Sequence, residues 1–218
     1  MACLTANATQ PRHTVPVSTR DDGTDPAHVW YVSYGSNMCE SRLGCYISGG
    51  RPPGARVEYV GARDATPPVE SMPVVLPGSL YFAGESPTWG GGIAFYDHDE
   101  PGPTPARAYR ITSAQFADIA AQEMHRIPVP GDPLEEVVIG GLETGRHEAG
   151  PGHYETLVEV GRHDGLPMLT FTAPHGLSHV PHSRPQPAYL AMLEQGLREA
   201  HGWSEAEVAD YFASVVTV

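Results

Sequence analysis

Proline and glycine set the segment lengths in this chain. Its 218 residues include 22 Pro and 24 Gly; proline removes a backbone donor and glycine loosens the backbone wherever it stands. Ser113 to Arg126 contains neither. Thr112 and Gln115 precede and open that stretch in capping-box spacing, which predicts a helix that Pro128, Pro130 and Pro133 then end. Two further helices are predicted near the C-terminus, one over Ala188 to Ala200 and one starting at Ser204 with Glu207 in capping position. A shorter one is expected over Met38 to Ile47, with Asn37 and Glu40 as its capping pair.

Between these lie runs rich in β-branched and aromatic residues, which read as strands. Val29 to Tyr34 is the most apolar. Arg56 to Gly61, Gly78 to Ala83, Gly91 to Tyr96 and Ala106 to Ile111 follow, with Pro67, Pro68, Pro73 and Pro77 breaking the first long connection. His153 to Gly161 and Leu166 to Ala173 read as a hairpin around Arg162-His163-Asp164-Gly165, and Gly140 to Gly152 as a loop. About seven strands and three or four helices without regular βαβ alternation predict an α+β fold, a small mixed curved sheet or barrel with flanking helices. Residues 29–218 are expected to form one domain. Residues 1–28, rich in Thr, Pro, Asp and Ser, read as a flexible arm without the apolar core of a secretory signal, which points to the cytoplasm.

Composition narrows the chemistry. A net charge of −13 opposes a nucleic-acid or anionic-membrane partner. All thirteen basic residues are Arg; without Lys there is no Schiff base and no Lys-dependent phosphate loop. The Arg-, Pro- and Gly-rich, Lys-free composition suggests a GC-rich bacterial genome. Cys3, Cys39 and Cys45 have no metal-type spacing and read as free thiols.

Four places could carry chemistry. Along the central helix the apolar stripe Phe116, Ile119, Ala120, 123, Ile127 is interrupted by Glu123. A carboxylate on a buried face costs several kcal/mol unless paired or neutralised, and a raised pKa suits a general acid/base. The other reading is a structural Glu bonded to a buried Arg, or a helix end already out of the core. Tyr34-Gly35-Ser36-Asn37 forms a strand-to-helix turn where Gly35 permits positive φ and the following N–H groups favour an anion. Trp89-Gly90-Gly91-Gly92 either makes room for substrate or is a flexible loop. His175, His179 and His182 cluster in a Pro-rich loop and could hold a metal, though the helical His-Glu-x-x-His pattern is missing from the sequence.

These residues carry a resemblance. Tyr34-Gly35-Ser36-Asn37-Met38 resembles the Tyr-Gly-Ser-Asn-Leu motif of gamma-glutamylcyclotransferase-like proteins, Trp89 to Ala94 resembles their Gly-Gly-Ile-Ala strand, and Ala106 to Glu123 resembles the strand and helix ending in their Gln-Glu. The similarity spans roughly Val29 to Ala173 and, more loosely, the C-terminal helices, so that residues 29–218 are expected as a gamma-glutamylcyclotransferase-like domain. It implies a cofactor-free enzyme with Glu123 as catalytic carboxylate, and with Tyr34, Gly35, Ser36, Asn37, Met38, Gly91 and Gly92 around a small-molecule gamma-glutamyl substrate. The implied reaction is intramolecular aminolysis, giving 5-oxoproline and a free amine, possible also on a secondary-metabolite intermediate. Departures are Met38 for Leu, Met124-His125-Arg126 where the family commonly has Gly, and a Pro- and Gly-rich insert from Ile127 to Gly152 expected to reshape the substrate pocket. Two rival readings are a non-catalytic binding module on the same fold and a metal-dependent hydrolase built on the three histidines.

Overall fold

The structure, a computed structural model, describes residues 27–216. The arm expected over residues 1–28 therefore lies outside the described residues up to residue 26, and the first strand already begins at His28. Six strands, β1 (His28–Ser33), β2 (Glu70–Ala83), β3 (Ile93–Thr112), β4 (Arg146–Glu148), β5 (Thr156–His163) and β6 (Leu166–Thr172), form one curved sheet in the order β2-β3-β1-β6-β5-β4. All neighbours are antiparallel except β1 and β6, which run parallel. Five helices flank it: α1 (Glu40–Ser48), α2 (Ser113–Glu123), α3 (Pro133–Gly140), α4 (Pro187–His201) and α5 (Glu205–Val215). The predicted α+β class holds, as an open sheet with β2 and β4 at its edges.

β1 is buried on both faces. Val29 and Tyr31 point into a core shared with Phe116, Ile119 and Ala120 of α2 and with Leu43 and Tyr46 of α1. Trp30, Val32 and the following Tyr34 point the other way, toward Leu193 and Leu197 of α4 and Phe212 of α5. Alternate side chains of a strand face opposite sides, so an unbroken apolar run is what a strand covered on both sides requires.

Several boundaries differ from the sequence reading. Pro73 and Pro77 do not break a connection; they lie inside β2, whose outer side is unpaired. An edge strand tolerates the missing N–H, and register shifts on both sides of Gly78 absorb the rest. The two strands read at Gly91 to Tyr96 and Ala106 to Ile111 are one strand, β3, which continues through Pro101, Pro103 and Pro105 against β2. Arg56 to Gly61 forms no strand, only a single bridge between Tyr59 and Gly50. The insert after Ile127 is not a plain loop: Asp132 caps Leu134 N–H at 2.9 Å, and Pro133 opens α3, where its missing N–H costs nothing.

The capping boxes at Thr112/Gln115 and Ser204/Glu207 form as read. The one proposed at Asn37/Glu40 does not, because Asn37 lies in a 3-10 turn, Ser36–Met38, ahead of α1. Glu199 of α4 takes the Glu40 N–H instead, at 2.9 Å. α4 packs directly on that turn through Gly196, where a Cβ would sit 2.5 Å from Met38 Cβ and 2.7 Å from the Cys39 nitrogen. Gly196→Ala is therefore expected to push α4 from the turn and destabilise the fold by about 1–3 kcal/mol. Urea unfolding measures it, and a wild-type midpoint would show that the contact yields without cost.

Candidate active site

The turn after β1 faces the end of α2 across a cleft open to solvent. Glu123, Gly35, Ser36, Asn37 and Tyr34 all line it, together with Arg42, Tyr154 and Tyr189. Asn37 Nδ2 donates to Glu123 Oε1 at 3.1 Å and to the Tyr31 hydroxyl at 3.0 Å, tying the turn to the helix 86 residues away. Tyr109, from β3, donates its hydroxyl to the carbonyls of Asn37 and Met38 at 2.9 Å each, and Arg107 Nη1 reaches the Met38 carbonyl at 3.3 Å. The turn's carbonyls are thus bound by the sheet. Its N–H groups at Gly35, Ser36 and Asn37 find no acceptor among the described residues, which is the polarity an anion requires.

Gly35 is not in the positive-φ region; its φ is −108°, so the conformational argument for glycine fails there. A Cβ at this position would only reach ordinary contact, 3.8 Å from the Tyr189 hydroxyl. What glycine supplies is an unobstructed backbone on the cleft wall. Tyr34 donates its hydroxyl to the Phe171 carbonyl at 2.8 Å, closing the floor between β1 and β6.

Glu123 is half-buried, and its carboxyl end is crowded by protein. Burial pushes its pKa above the usual carboxylate range; the Arg42 charge, Tyr46, Asn37 and His125 pull the other way without cancelling it. The stripe reading places Glu123 correctly but for a partly wrong reason, since Ile127 is 71% exposed and lies off the helix. α2 ends at Glu123, three residues before Arg126. His125 takes φ 57°, and Arg126 N–H bonds to the Ala121 carbonyl at 2.7 Å while His125 N–H bonds to Gln122 at 3.1 Å, a Schellman ending with His in the position glycine usually holds.

Three expected site residues fall elsewhere. Met38 is buried against α4 and lines no part of the cleft. Gly91 and Gly92 are needed for backbone approach, as expected, but by residues 183–186 of this chain rather than by a ligand. A Cβ on Gly92 would lie 2.1 Å from the Ser183 carbonyl and one on Gly91 2.6 Å from that of Arg184. The insert also leaves the cleft alone: no residue between Ile127 and Gly152 lines it, though His125 before it and His153 and Tyr154 after it do.

His175 and His179 line a separate depression beside Asp97. His175 Nδ1 meets the Tyr81 hydroxyl at 3.1 Å and His182 Nε2 meets the Leu177 carbonyl at 3.0 Å, so the three imidazoles do not converge. Among the described residues the only three potential metal ligands with atoms all within 4.8 Å are Asp97, His98 and Asp99. Among those residues, too, no helix is long and apolar enough to cross a membrane.

The sequence reading missed Arg42, Tyr59, His125, His153, Tyr154 and Tyr189, together with the Ser86–Thr88 wall beside Trp89. Arg42 alone left a signal, as a charge among Leu43, Tyr46 and Ile47 on the apolar face of α1. Tyr189 is brought in by the first turn of α4, and the others by loop geometry.

One solved structure agrees with this fold. A solved structure of a gamma-glutamyl cyclotransferase superposes with a TM-score of 0.50, at 14% identity, over 88% of this chain and 89% of that one. An uncharacterized protein from Homo sapiens gives a TM-score of 0.48 at 16% identity, over 85% of this chain and 87% of its own. Histone deacetylase 5 of Arabidopsis thaliana is 33% identical over 207 residues, 87% of this chain but 31% of that protein. The chain thus spans under a third of the curated relative it matches. No family model matches the sequence. The chain has the gamma-glutamyl cyclotransferase-like fold, a mixed six-stranded curved sheet with five flanking helices.

A carboxyl whose pKa is higher folded than unfolded holds its proton more tightly in the native state. Stability then falls as pH rises from the unfolded value through the folded one. Ionised Glu123 is therefore a net cost at neutral pH. Glu123→Gln, which keeps an acceptor for Asn37, is expected to melt above the wild type at about pH 7 and level with it at about pH 4 or below. A lower melting temperature at neutral pH would show that the carboxylate serves the fold.

Proposed function

We propose that this protein is a gamma-glutamyl cyclotransferase acting on a small gamma-glutamyl amide. One observation carries the reading: a carboxylate with a burial-raised pKa is hydrogen-bonded at 3.1 Å to the same turn whose N–H groups stand unpaired in the cleft. A base and an anion-binding edge on one wall are what acyl transfer requires.

In the proposed reaction the substrate's α-amine attacks its own γ-amide carbon. Glu123 accepts a proton from the α-ammonium, and the new N–C bond closes a five-membered ring. The developing oxyanion, or the substrate carboxylate, lies against the N–H groups of Gly35, Ser36 and Asn37. Collapse of the tetrahedral species breaks the old C–N bond as Glu123 returns its proton to the leaving amine and the ring nitrogen releases its second proton to solvent, giving 5-oxoproline and a free amine. A pKa raised toward neutrality suits both transfers. Ring closure within one bound molecule has the advantage of an intramolecular step, provided the cleft holds the chain curled. Deacetylation belongs to the name of a plant protein of which this chain spans 31%, and no feature of the cleft is assigned to it.

Glu123→Gln is nearly isosteric and is expected to lower turnover by at least about a hundredfold with the fold retained. Undiminished activity in a folded variant would remove Glu123 from the mechanism.

The wild-type protein is expected to release 5-oxoproline from at least one member of a panel of gamma-glutamyl amines, dipeptides and glutathione, and to leave every N-acetylated counterpart intact. Acetylation spares the scissile amide but removes the nucleophile. A hydrolase using water would cut both forms, and a binding module neither. Mass spectrometry for 5-oxoproline separates the three, and release of glutamate in its place would end the cyclotransferase reading.

A further inference from the structure

The unmet hydrogen bonds of this molecule gather at the cleft. Among the described residues, eight buried side-chain nitrogens and oxygens have no partner, and four of them belong to Asn37, Arg42 and Thr170, which all line it. Arg42 contributes two donors, Nε and Nη1, and Thr170 a hydroxyl that can donate or accept. The fourth atom, Asn37 Oδ1, can only accept. The rest of that side chain is fixed. Asn37 is 3% exposed, its main-chain carbonyl takes the Tyr109 hydroxyl at 2.9 Å, and its Nδ2 donates to Tyr31 and Glu123. An ionised carboxylate only accepts, so the amide nitrogen belongs on the Glu123 side and Oδ1 on the other branch.

A buried acceptor without a donor is costly in a packed protein, and the N–H of a ligand supplies what the chain does not. The spacing suits a single nitrogen. Nδ2 lies 3.1 Å from Glu123 Oε1. Oδ1 shares an amide carbon with Nδ2, which places the two oxygens no more than about 5.4 Å apart. An ammonium nitrogen at ordinary hydrogen-bond distance from both spans up to about 6 Å. The two free donors of Arg42 cannot serve such a group, since a guanidinium has no acceptor to offer it.

We propose that the side-chain oxygen of Asn37 binds the α-amine of the substrate, holding one of its N–H groups while Glu123 takes another. This rests on the cyclotransferase reading, in which that amine is the nucleophile. The α-ammonium carries three protons. One passes to Glu123 and one leaves for solvent as the ring forms. The third stays on nitrogen in 5-oxoproline, and it is the proton that Asn37 holds throughout. Held in this way the nitrogen cannot turn freely, so the lone pair uncovered by Glu123 is kept in one direction for attack on the γ-carbon. Asn37 thus serves the site twice. Its main-chain N–H belongs to the anion-binding edge of the turn, and its side-chain oxygen reads the amine.

The test needs no turnover, because the product keeps the proton in question. Binding of 5-oxoproline is compared by calorimetry with binding of 5-oxotetrahydrofuran-2-carboxylate, the lactone in which a ring oxygen replaces the N–H. The wild-type protein is expected to prefer the lactam by about tenfold, the worth of one hydrogen bond to a buried acceptor. In Asn37→Ala that preference is expected to fall to about twofold or less, because the acceptor is gone. An Asn37 that only supports the turn would weaken both ligands alike and leave the ratio unchanged, which overturns the proposal, as does a wild-type protein that binds the two equally or binds neither. If Asn37→Ala does not fold, judged by near-ultraviolet circular dichroism, a crystal structure of the wild type with 5-oxoproline decides. A lactam nitrogen within about 3.2 Å of Asn37 Oδ1 supports the proposal, and one beyond about 3.5 Å refutes it. Turnover of the gamma-glutamyl panel is read separately. An unchanged ratio in a protein that releases 5-oxoproline ends this proposal alone, whereas a panel left wholly intact ends the cyclotransferase reading on which it rests.

Discussion

β1 is covered on both faces, and the remainder of the molecule is arranged to keep it so. Tyr31 stacks on Phe171 and Tyr109 in the layer beneath α2, at centroid distances of 5.3 and 6.4 Å. On the other face Trp30 and Val32 join the layer beneath α4 and α5. A central strand of this kind needs partners on both edges, and β3 and β6 supply them in opposite senses, antiparallel and parallel. The chain that leaves β1 then has to turn within the protein rather than at its surface. Its polar backbone must be satisfied there, which is why β3 sends the Tyr109 hydroxyl and the Arg107 guanidinium to the carbonyls of Asn37 and Met38.

That requirement shapes the chemistry of the cleft. Binding the carbonyls leaves the N–H side of the turn open, and α2 delivers Glu123 against it. The same layer that buries Phe116 and Ile119 completely brings the helix's last residue to the edge of the core, half covered. The result is an electrostatic balance in which desolvation raises the Glu123 pKa while one buried cation and two hydrogen-bonding side chains restrain it. Each element alone is ordinary. A carboxylate at a helix end, a glycine in a turn or an arginine under two tyrosines would carry no chemistry if the sheet did not bring them to one cavity.

Much of this was legible in the residues, and the failures share a cause. The Thr112/Gln115 and Ser204/Glu207 boxes were readable because a cap is a local hydrogen bond between residues three apart. The Asp164-Gly165 hairpin turn was readable for the same reason, both residues taking positive φ. Asn37/Glu40 has the same spacing, yet Asn37 is drawn to Tyr31 and Glu123, and Glu199 from α4 takes its place. Proline misled where it lies in a sheet. Pro73 and Pro77 interrupt a strand only if their N–H is needed, and on the outer edge of β2 it is not.

By itself the sequence determined the character of each segment: which runs are apolar on both sides, where helices begin and which residue types can accept a proton. These follow from propensity, short-range hydrogen bonding and pattern, all of which operate over a few residues. Tertiary structure alone decided that Gly91 and Gly92 accommodate the backbone of residues 183–186 rather than a ligand, and that Met38 turns away into α4. It also decided that the insert after Ile127 folds against α2 outside the cleft, and that Arg42 shares a cavity with Glu123. Those outcomes depend on contacts between residues tens of positions apart, whose energies come from shape and desolvation that no local pattern encodes.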